Sequence, residues 1–215
     1  TYMGLLGQKC AEHGFDAEKS VAAVWSGTRA MAKNDGVKTN GERFWETFSA
    51  ELEGDIDALG QALEKFYEVE FHGAKTATQA NPLAAPLVRG LRGKGYTLAL
   101  ATNPLFPLSA IKTRLSWLGL AADDFDLITT YDNMHFSKPN PAYYAEIAQK
   151  LGKQPQQCLM VGNDLRDDTP AVKAGMDFYL VTDDLLNGEG QDISAYRHGS
   201  FAQCSDYLLT LESNL

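Results

Sequence analysis

The sequence predicts an α/β fold, and two observations carry this prediction. Up to about residue 81 apolar residues recur at helical spacing with almost no strand-like run, whereas after Pro82 short apolar runs alternate with helical stretches. Strands that alternate with helices along a chain form parallel sheets covered by helices on both faces. We therefore expect a small all-helical domain over residues 1–81 and, over residues 82–215, a Rossmann-like parallel sheet flanked by helices.

The first half carries three stretches with helical periodicity, around Val21–Trp25, Phe44–Phe48 and Leu59–Val69. Stripes of aromatic and aliphatic residues at this spacing are typical of helices that pack into a core. We interpret them as the core of the helical domain and not as a cofactor site.

The second half contains strand-like apolar runs at residues 96–102, 125–131, 158–161 and 178–182. Helical stretches are predicted near residues 82–93, 107–118, 141–151 and 170–174. Asn140 followed by Pro141 is typical of a helix start, and Gly152 stands where a helix would end. This order of elements supports the parallel sheet.

Composition and charge narrow the function classes. Of the 215 residues 44% are apolar, which argues against disorder, and 28 acidic against 19 basic residues give a net charge of −9. Such an acidic chain is not expected to bind nucleic acid or anionic membranes. Three widely spaced cysteines indicate reduced thiols, and no apolar run is long enough for a membrane span. We expect a soluble cytoplasmic protein.

Candidate site residues follow from the ends of the predicted strands, because ligands of parallel sheets bind beyond the carboxyl ends of the strands. The first run ends at Thr102, which is followed by Asn103 and Pro104. A hydroxyl and free backbone N–H groups at such a position can hold a phosphate oxygen. The alternative is a threonine hydroxyl that satisfies a local turn.

Lys138 follows the second run and precedes Pro139, Asn140 and Pro141. Proline restricts the preceding residue to extended backbone, so we expect Lys138 just ahead of a helix N-terminus with its ammonium toward the end of the sheet. There the ammonium could neutralise a phosphate or a crowded carboxylate. The alternative is a solvated surface charge, as most lysines are.

The third run leads through Gly162 and Asn163 into Asp164, and Asp168 stands just before a helix. A carboxylate at a strand tip is a hard oxygen ligand for Mg²⁺, which usually takes one or two protein carboxylates with water and substrate phosphate. We therefore predict Asp164 as a Mg²⁺ ligand. Asp168 could instead cap the following helix.

In this order Thr102, Lys138 and the segment from Gly162 to Asp168 resemble the second, third and fourth motifs of the haloacid dehalogenase-like (HAD) hydrolases. The resemblance covers roughly residues 82–182, and the helical first half is similar to the family's cap domain. It implies a Mg²⁺-dependent phosphatase of a small phosphorylated metabolite, in which an aspartate attacks phosphorus and forms an aspartyl-phosphate.

The resemblance also implies a role for each matched residue. Thr102 and the backbone N–H of Asn103 would bind oxygens of the transferred phosphoryl group, and Lys138 would offset the crowded negative charge. Asp164 would hold Mg²⁺, and Asp168 would orient Lys138 or a metal-bound water.

Two features depart from the family pattern. The first motif, an apolar strand ending in Asp-x-Asp, is missing: Asp55-Ile56-Asp57 has the right order, but it follows acidic residues and begins an amphipathic helix. We expect the first core strand upstream of Thr1. The second departure is Asn163, where many members have aspartate. Either Asn163 or Asp164 could face the metal, and we favour Asp164 because a carboxylate carries the charge that Mg²⁺ demands.

Two other functions fit the same motifs. One is a metal-free haloacid dehalogenase, against which the acidic pair Asp164 and Asp168 counts. The other is a non-catalytic HAD-fold binding protein, which the missing first motif would favour if the chain were naturally complete.

Overall fold

The computed structural model describes residues 2–212. The helices are α1 (Tyr2–Glu12), α2 (Ala17–Ala32), α3 (Asn40–Ala50), α4 (Ile56–Glu68), α5 (Ala84–Gly93), α6 (Leu108–Trp117), α7 (Pro141–Lys150), α8 (Pro170–Lys173) and α9 (Phe201–Thr210). The strands are β1 (Ala99–Leu100), β2 (Leu127–Ile128), β3 (Leu159–Gly162), β4 (Asp177–Val181) and β5 (Arg197–Gly199). Short 3₁₀ helices cover Glu70–Ala77, Ala122–Asp124 and Pro155–Gln157.

The chain forms two compact units. The helical unit consists of the residues up to Ala80 together with Thr102–Ala122 and Thr129–Ser137. The sheet unit consists of Asn81–Ala101, Asp123–Ile128 and the residues from Lys138 onward. The predicted domain ranges 1–81 and 82–215 stay a prediction, and their ends at Thr1 and residues 213–215 lie outside the described residues.

The helical unit is built from capped helices around an aromatic core. Thr39 caps α3 through a reciprocal pair of bonds with Glu42, and Asp16 caps α2 by accepting the N–H of Lys19. Phe48 and Phe66 are fully buried in this core. Most residues of the first-half stripes belong to this core, as predicted, but Trp25 and Val69 at their ends are 51% and 56% exposed. Residues 2–80 of the described chain contain no strand.

The sheet unit contains two parallel sheets. β1 pairs with β2, and β4 lies between β3 and β5 in the second sheet. Helices α5 and α9 pack against β4 through Leu87, Tyr179, Cys204 and Leu208, all of them buried. The parallel strands flanked by helices confirm the predicted α/β fold class.

The sheet topology bears on the strand expected upstream of Thr1, which lies outside the described residues. β1 and β3 belong to different sheets, so the strands that end near Thr102 and Val161 do not pair directly. The upstream strand stays a prediction.

The predicted elements of the second half are confirmed in position, although the first two strands are shorter than the apolar runs. Asn140 caps α7 by accepting the N–H of Ala142, with Pro141 in the first turn, and Gly152 has φ +64° just beyond the helix. The strand β5 was not predicted, because its sequence Arg-His-Gly contains no apolar run. The helix α9 was not predicted either. Within residues 2–212, every helix is too short or too polar to cross a membrane.

Candidate active site

A buried ion pair stands at the centre of the candidate site in the sheet unit. The Nζ atom of Lys138 donates to Oδ1 of Asp168 at 2.6 Å, and the two side chains are only 9% and 5% exposed. The ammonium also lies 5.9 Å from the centre of the Tyr143 ring. Lys138 is therefore not a solvated surface lysine, and the alternative that the sequence left open is wrong.

The turn after β3 wraps around the other oxygen of Asp168. The backbone N–H groups of Asn163 and Asp164 both donate to Oδ2 of Asp168, each at 3.0 Å. A Cβ on Gly162 would lie 2.1 Å from this oxygen, so glycine is required for the close approach. The Asp168 side chain thus binds Lys138 and the turn. It does not cap α8, whose N-terminal Thr169 makes no side-chain cap.

Asp164 keeps one carboxylate oxygen available. Its Oδ1 accepts the N–H groups of Arg166 and Asp167 at 2.8 and 3.0 Å, which fixes the side chain within the turn. No hydrogen bond from residues 2–212 reaches Oδ2 of this half-buried side chain. A cation could therefore be bound without breaking an existing bond.

Negative charge is concentrated next to Asp164. Burial raises the pKa of Asp167, and the charges of Asp164 and Asp168 raise it further, while Lys138 lowers it. Among the described residues no group of three or more metal-binding side chains is found. Mg²⁺ needs only one or two protein carboxylates, so Asp164 in this acidic turn fits the ion by the chemistry of its oxygen.

The side chain of Asn163 is bonded elsewhere. The Nδ2 atom of Asn163 donates to the backbone carbonyl of Asp184 at 2.6 Å. The backbone carbonyl of Asn163 accepts the N–H of Leu186. These bonds join the turn after β3 to the segment after β4. No residue pattern indicates this contact, since its partners on the second segment are backbone groups.

Thr102 and Asn103 lie in the helical unit. The Thr102 hydroxyl donates to the carbonyl of Thr129 at 3.2 Å, and the Thr129 hydroxyl donates to the carbonyl of Thr102 at 2.9 Å. Oδ1 of Asn103 is buried, and no partner for it is found within residues 2–212. A buried acceptor without a partner lowers the stability of the fold by about 1–3 kcal/mol. A ligand that donates a hydrogen bond to this oxygen would remove that penalty and would bind more tightly for it.

The structure brings Lys138, Asp164 and Asp168 together in one unit and places Thr102 and Asn103 in the other. The first group can hold a cation beside a fixed ammonium. The second offers a hydroxyl and a buried amide oxygen just beyond the end of β1.

Two Asp-x-Asp sequences fail as nucleophile sites. Asp55 caps α4 by accepting the N–H of Ala58 at 2.9 Å, as its sequence context predicts. A second one, Asp124-Phe125-Asp126, was not considered from the sequence. It precedes β2 instead of following a strand, and Oδ2 of Asp126 accepts the N–H of Leu98 at 2.8 Å.

The helical unit also encloses an apolar cavity of about 290 Å³. Rings from several helices and loops line it, among them Tyr2, Phe44, Trp45, Tyr67, Phe106 and Tyr131. An open acidic groove shares Trp45, Gly60, Glu64 and Tyr131 with the cavity. Helical spacing alone cannot distinguish a ring that fills a core from one that lines a cavity, so the sequence did not indicate this site.

Comparisons with known proteins point to one family. A family model described as haloacid dehalogenase-like hydrolase matches residues 6–175. The phosphoglycolate phosphatase of Cereibacter sphaeroides is 32% identical over 68% of this chain and 68% of its own length. The glyceraldehyde 3-phosphate phosphatase of Methanothermobacter thermautotrophicus is 31% identical over 56% of this chain, and the match spans only 53% of that relative.

A solved structure is similar over nearly the whole chain. The HAD phosphatase from Thermococcus onnurineus superposes with a TM-score of 0.57 at 21% identity, over 96% of this chain and 89% of that one. At this identity the likeness concerns the fold.

Proposed function

Because the chain belongs to the haloacid dehalogenase-like hydrolase family, we propose that the protein is a Mg²⁺-dependent phosphatase of a small phosphorylated metabolite. The observation that carries the proposal is the buried Lys138–Asp168 pair, held by the turn that also presents Asp164. Two relatives with about one third identical residues are phosphatases by name, which supports the same reaction class.

Each residue of the sheet unit has a distinct proposed role. Asp164 would hold the metal through its available oxygen, and Mg²⁺, when bound, would neutralise charge on the phosphoryl group. Asp168 acts through Lys138: the carboxylate accepts from the ammonium at 2.6 Å and so fixes its position. The fixed ammonium would offset the negative charge of a phosphate and of the nearby carboxylates.

The residues of the helical unit would bind the phosphoryl group, as the family resemblance implies. Thr102 would turn its hydroxyl from the carbonyl of Thr129 to a phosphoryl oxygen, and Asn103 would donate its backbone N–H to another. The helical segment that precedes Asn81 would serve as the cap of the family. The attacking aspartate is not supplied by Asp55 or Asp124, since neither follows a strand.

Phosphate release tests the proposal in the natural protein. We expect hydrolysis of small phosphate esters that requires Mg²⁺ and stops on chelation, and no chloride release from 2-chloropropionate. Chloride release without metal would establish the dehalogenase instead. Ligand binding without any turnover would establish the non-catalytic binding protein, and either outcome would overturn the proposal.

A further inference from the structure

The apolar cavity of the helical unit has no role in the function proposed above. Its walls are mostly aromatic rings and aliphatic side chains, with Phe44, Tyr67 and Leu63 almost fully buried around it, and Thr28 and Glu64 also line it. Its volume of about 290 Å³ is enough for a single ring with its substituents. A cavity of this composition favours an apolar guest.

The charged side chains around the cavity further restrict which ligands can bind in it. No lysine, arginine or histidine is found among the described residues that line the cavity or the adjoining groove. The groove carries Glu64 and Asp132, and burial together with the charge of Glu64 raises the pKa of Asp132 to about 6. A carboxylate or a second phosphate on the guest would meet these acidic side chains without a cationic partner.

The chain connects the cavity to the proposed phosphate-binding residues within the same unit. Leu105 and Phe106 line the cavity and follow Asn103 after a single residue, Pro104, and the N–H of Leu105 donates to the carbonyl of Asn103 at 2.8 Å. The carbonyl of Phe106 in turn accepts the N–H of Tyr131, another lining residue. A phosphate at Thr102 and Asn103 would therefore have its ester group within reach of the cavity.

We propose that this cavity binds the alcohol part of the substrate, and that the substrate is a phosphate monoester of a neutral apolar alcohol without a second anionic group. The inference rests on the proposed phosphatase function and adds the substrate class. It separates this chain from its relative named for phosphoglycolate, a substrate with a carboxylate.

Paired substrates test the inference in the natural protein with Mg²⁺. Benzyl phosphate and phosphoglycolate are both alkyl monoesters, and they differ in having a ring or a carboxylate beside the ester carbon. We expect kcat/KM for benzyl phosphate to exceed that for phosphoglycolate by roughly 10- to 100-fold, the discrimination that an apolar pocket supplies.

A variant that fills the cavity tests whether the preference for benzyl phosphate depends on the cavity. Gly60 lines the cavity, and a Cβ there would lie 3.4 Å from the ring of Trp45, so Gly60→Leu adds side-chain volume beside this ring. We expect it to lower kcat/KM for benzyl phosphate about 10-fold and to lower kcat/KM for phosphoglycolate by a clearly smaller factor. Gly4→Leu is the matched control, since Gly4 is a helical glycine with open space around it. Thr28→Leu is a second filling variant.

The outcomes separate this inference from the function on which it rests. If no monoester is hydrolysed, the phosphatase proposal fails. A Trp fluorescence titration with benzyl alcohol then decides whether the cavity binds an apolar ligand. Binding that Gly60→Leu weakens supports the cavity assignment, and no binding overturns it. If phosphoglycolate is preferred, or if both filling variants behave like Gly4→Leu, the phosphatase stands and the substrate class is wrong.

Discussion

The interiors of the two units are stabilised by different kinds of interaction. The helical unit has a core of aromatic rings, in which Phe44 and Phe48 stack with their centres 5.3 Å apart. The sheet unit places a charged pair, Lys138 and Asp168, in its interior and surrounds the carboxylate with backbone N–H groups. Ring packing tolerates irregular gaps, whereas a buried charge tolerates only one arrangement of partners.

This difference explains where each unit carries its chemistry. In the sheet unit Asp164 and Asp168 are held by hydrogen bonds within one short turn. Because these bonds join residues that are close in the sequence, the site has a recognisable spacing. In the helical unit the cavity is formed by rings from separate helices, and no short motif marks it. Substitutions should therefore act in different ways in the two units.

Removing a core ring should have the largest effect on stability. Phe48 is fully buried, and Phe48→Ala should lower the free energy of unfolding by about 3–5 kcal/mol through lost burial and a cavity. Denaturant unfolding measures this loss. Val37 is 77% exposed, so Val37→Ala should change stability by less than about 0.5 kcal/mol. Equal effects of the two variants would contradict the described core.

Breaking the ion pair should cost about 3 kcal/mol, because Lys138→Met leaves the Asp168 carboxylate buried without its cation. Asp168→Asn in the same background should recover part of this loss, since it removes the unpaired charge. A double-mutant cycle in denaturant measures the coupling. Additive effects would mean that the two side chains do not interact in solution.

Filling the turn should have a smaller effect. The Cβ of Gly162→Ala would overlap the Asp168 carboxylate, and displacing it should cost about 1–3 kcal/mol. Gly93→Ala is the matched control, because nothing lies within 4 Å of its added Cβ. A Gly162→Ala variant as stable as Gly93→Ala would show that the turn does not close on Asp168.

The smallest effect concerns the acidic groove. The pKa of Asp132 is raised to about 6, mainly by burial and then by Glu64, so Glu64→Gln should lower it. Because the folded pKa lies above the unfolded value, the stability contribution of Asp132 is lost as pH rises from about 4 to 6. NMR titration of the Asp132 carboxyl carbon measures the shift. A midpoint near 4 that Glu64→Gln leaves unchanged would contradict it.

The sequence allowed much of the sheet unit to be predicted. Strand positions followed from apolar runs. Asp164 was predicted because it stands at a strand end, and Asp168 because the family resemblance matches it. The burial of Lys138 did not follow, since a lysine beside proline has no local sign of the carboxylate it meets 30 residues later. The strand β5 was missed for a related reason: its pairing with β4 is formed by backbone groups, and its side chains are polar or absent.

The helical unit was predictable in its elements and not in its cavity. Caps such as Thr39 with Glu42 are local, so helix starts can be inferred from a few residues. The rings that line the cavity have the same spacing as those that fill the core, and only the packing of several helices decides between the two. The buried oxygen of Asn103 depends in the same way on residues distant in the sequence.

The Mg²⁺ dependence of phosphate release shows directly whether Asp164 binds the metal. In the natural protein, Asp164→Asn should reduce turnover by about 100-fold and raise the Mg²⁺ concentration needed for half-maximal rate, since metal stabilisation supplies several kcal/mol. Asp184→Asn is the matched control, because this exposed residue contributes only its backbone carbonyl to the turn. An Asp164→Asn variant with unchanged turnover and unchanged Mg²⁺ requirement would contradict the account.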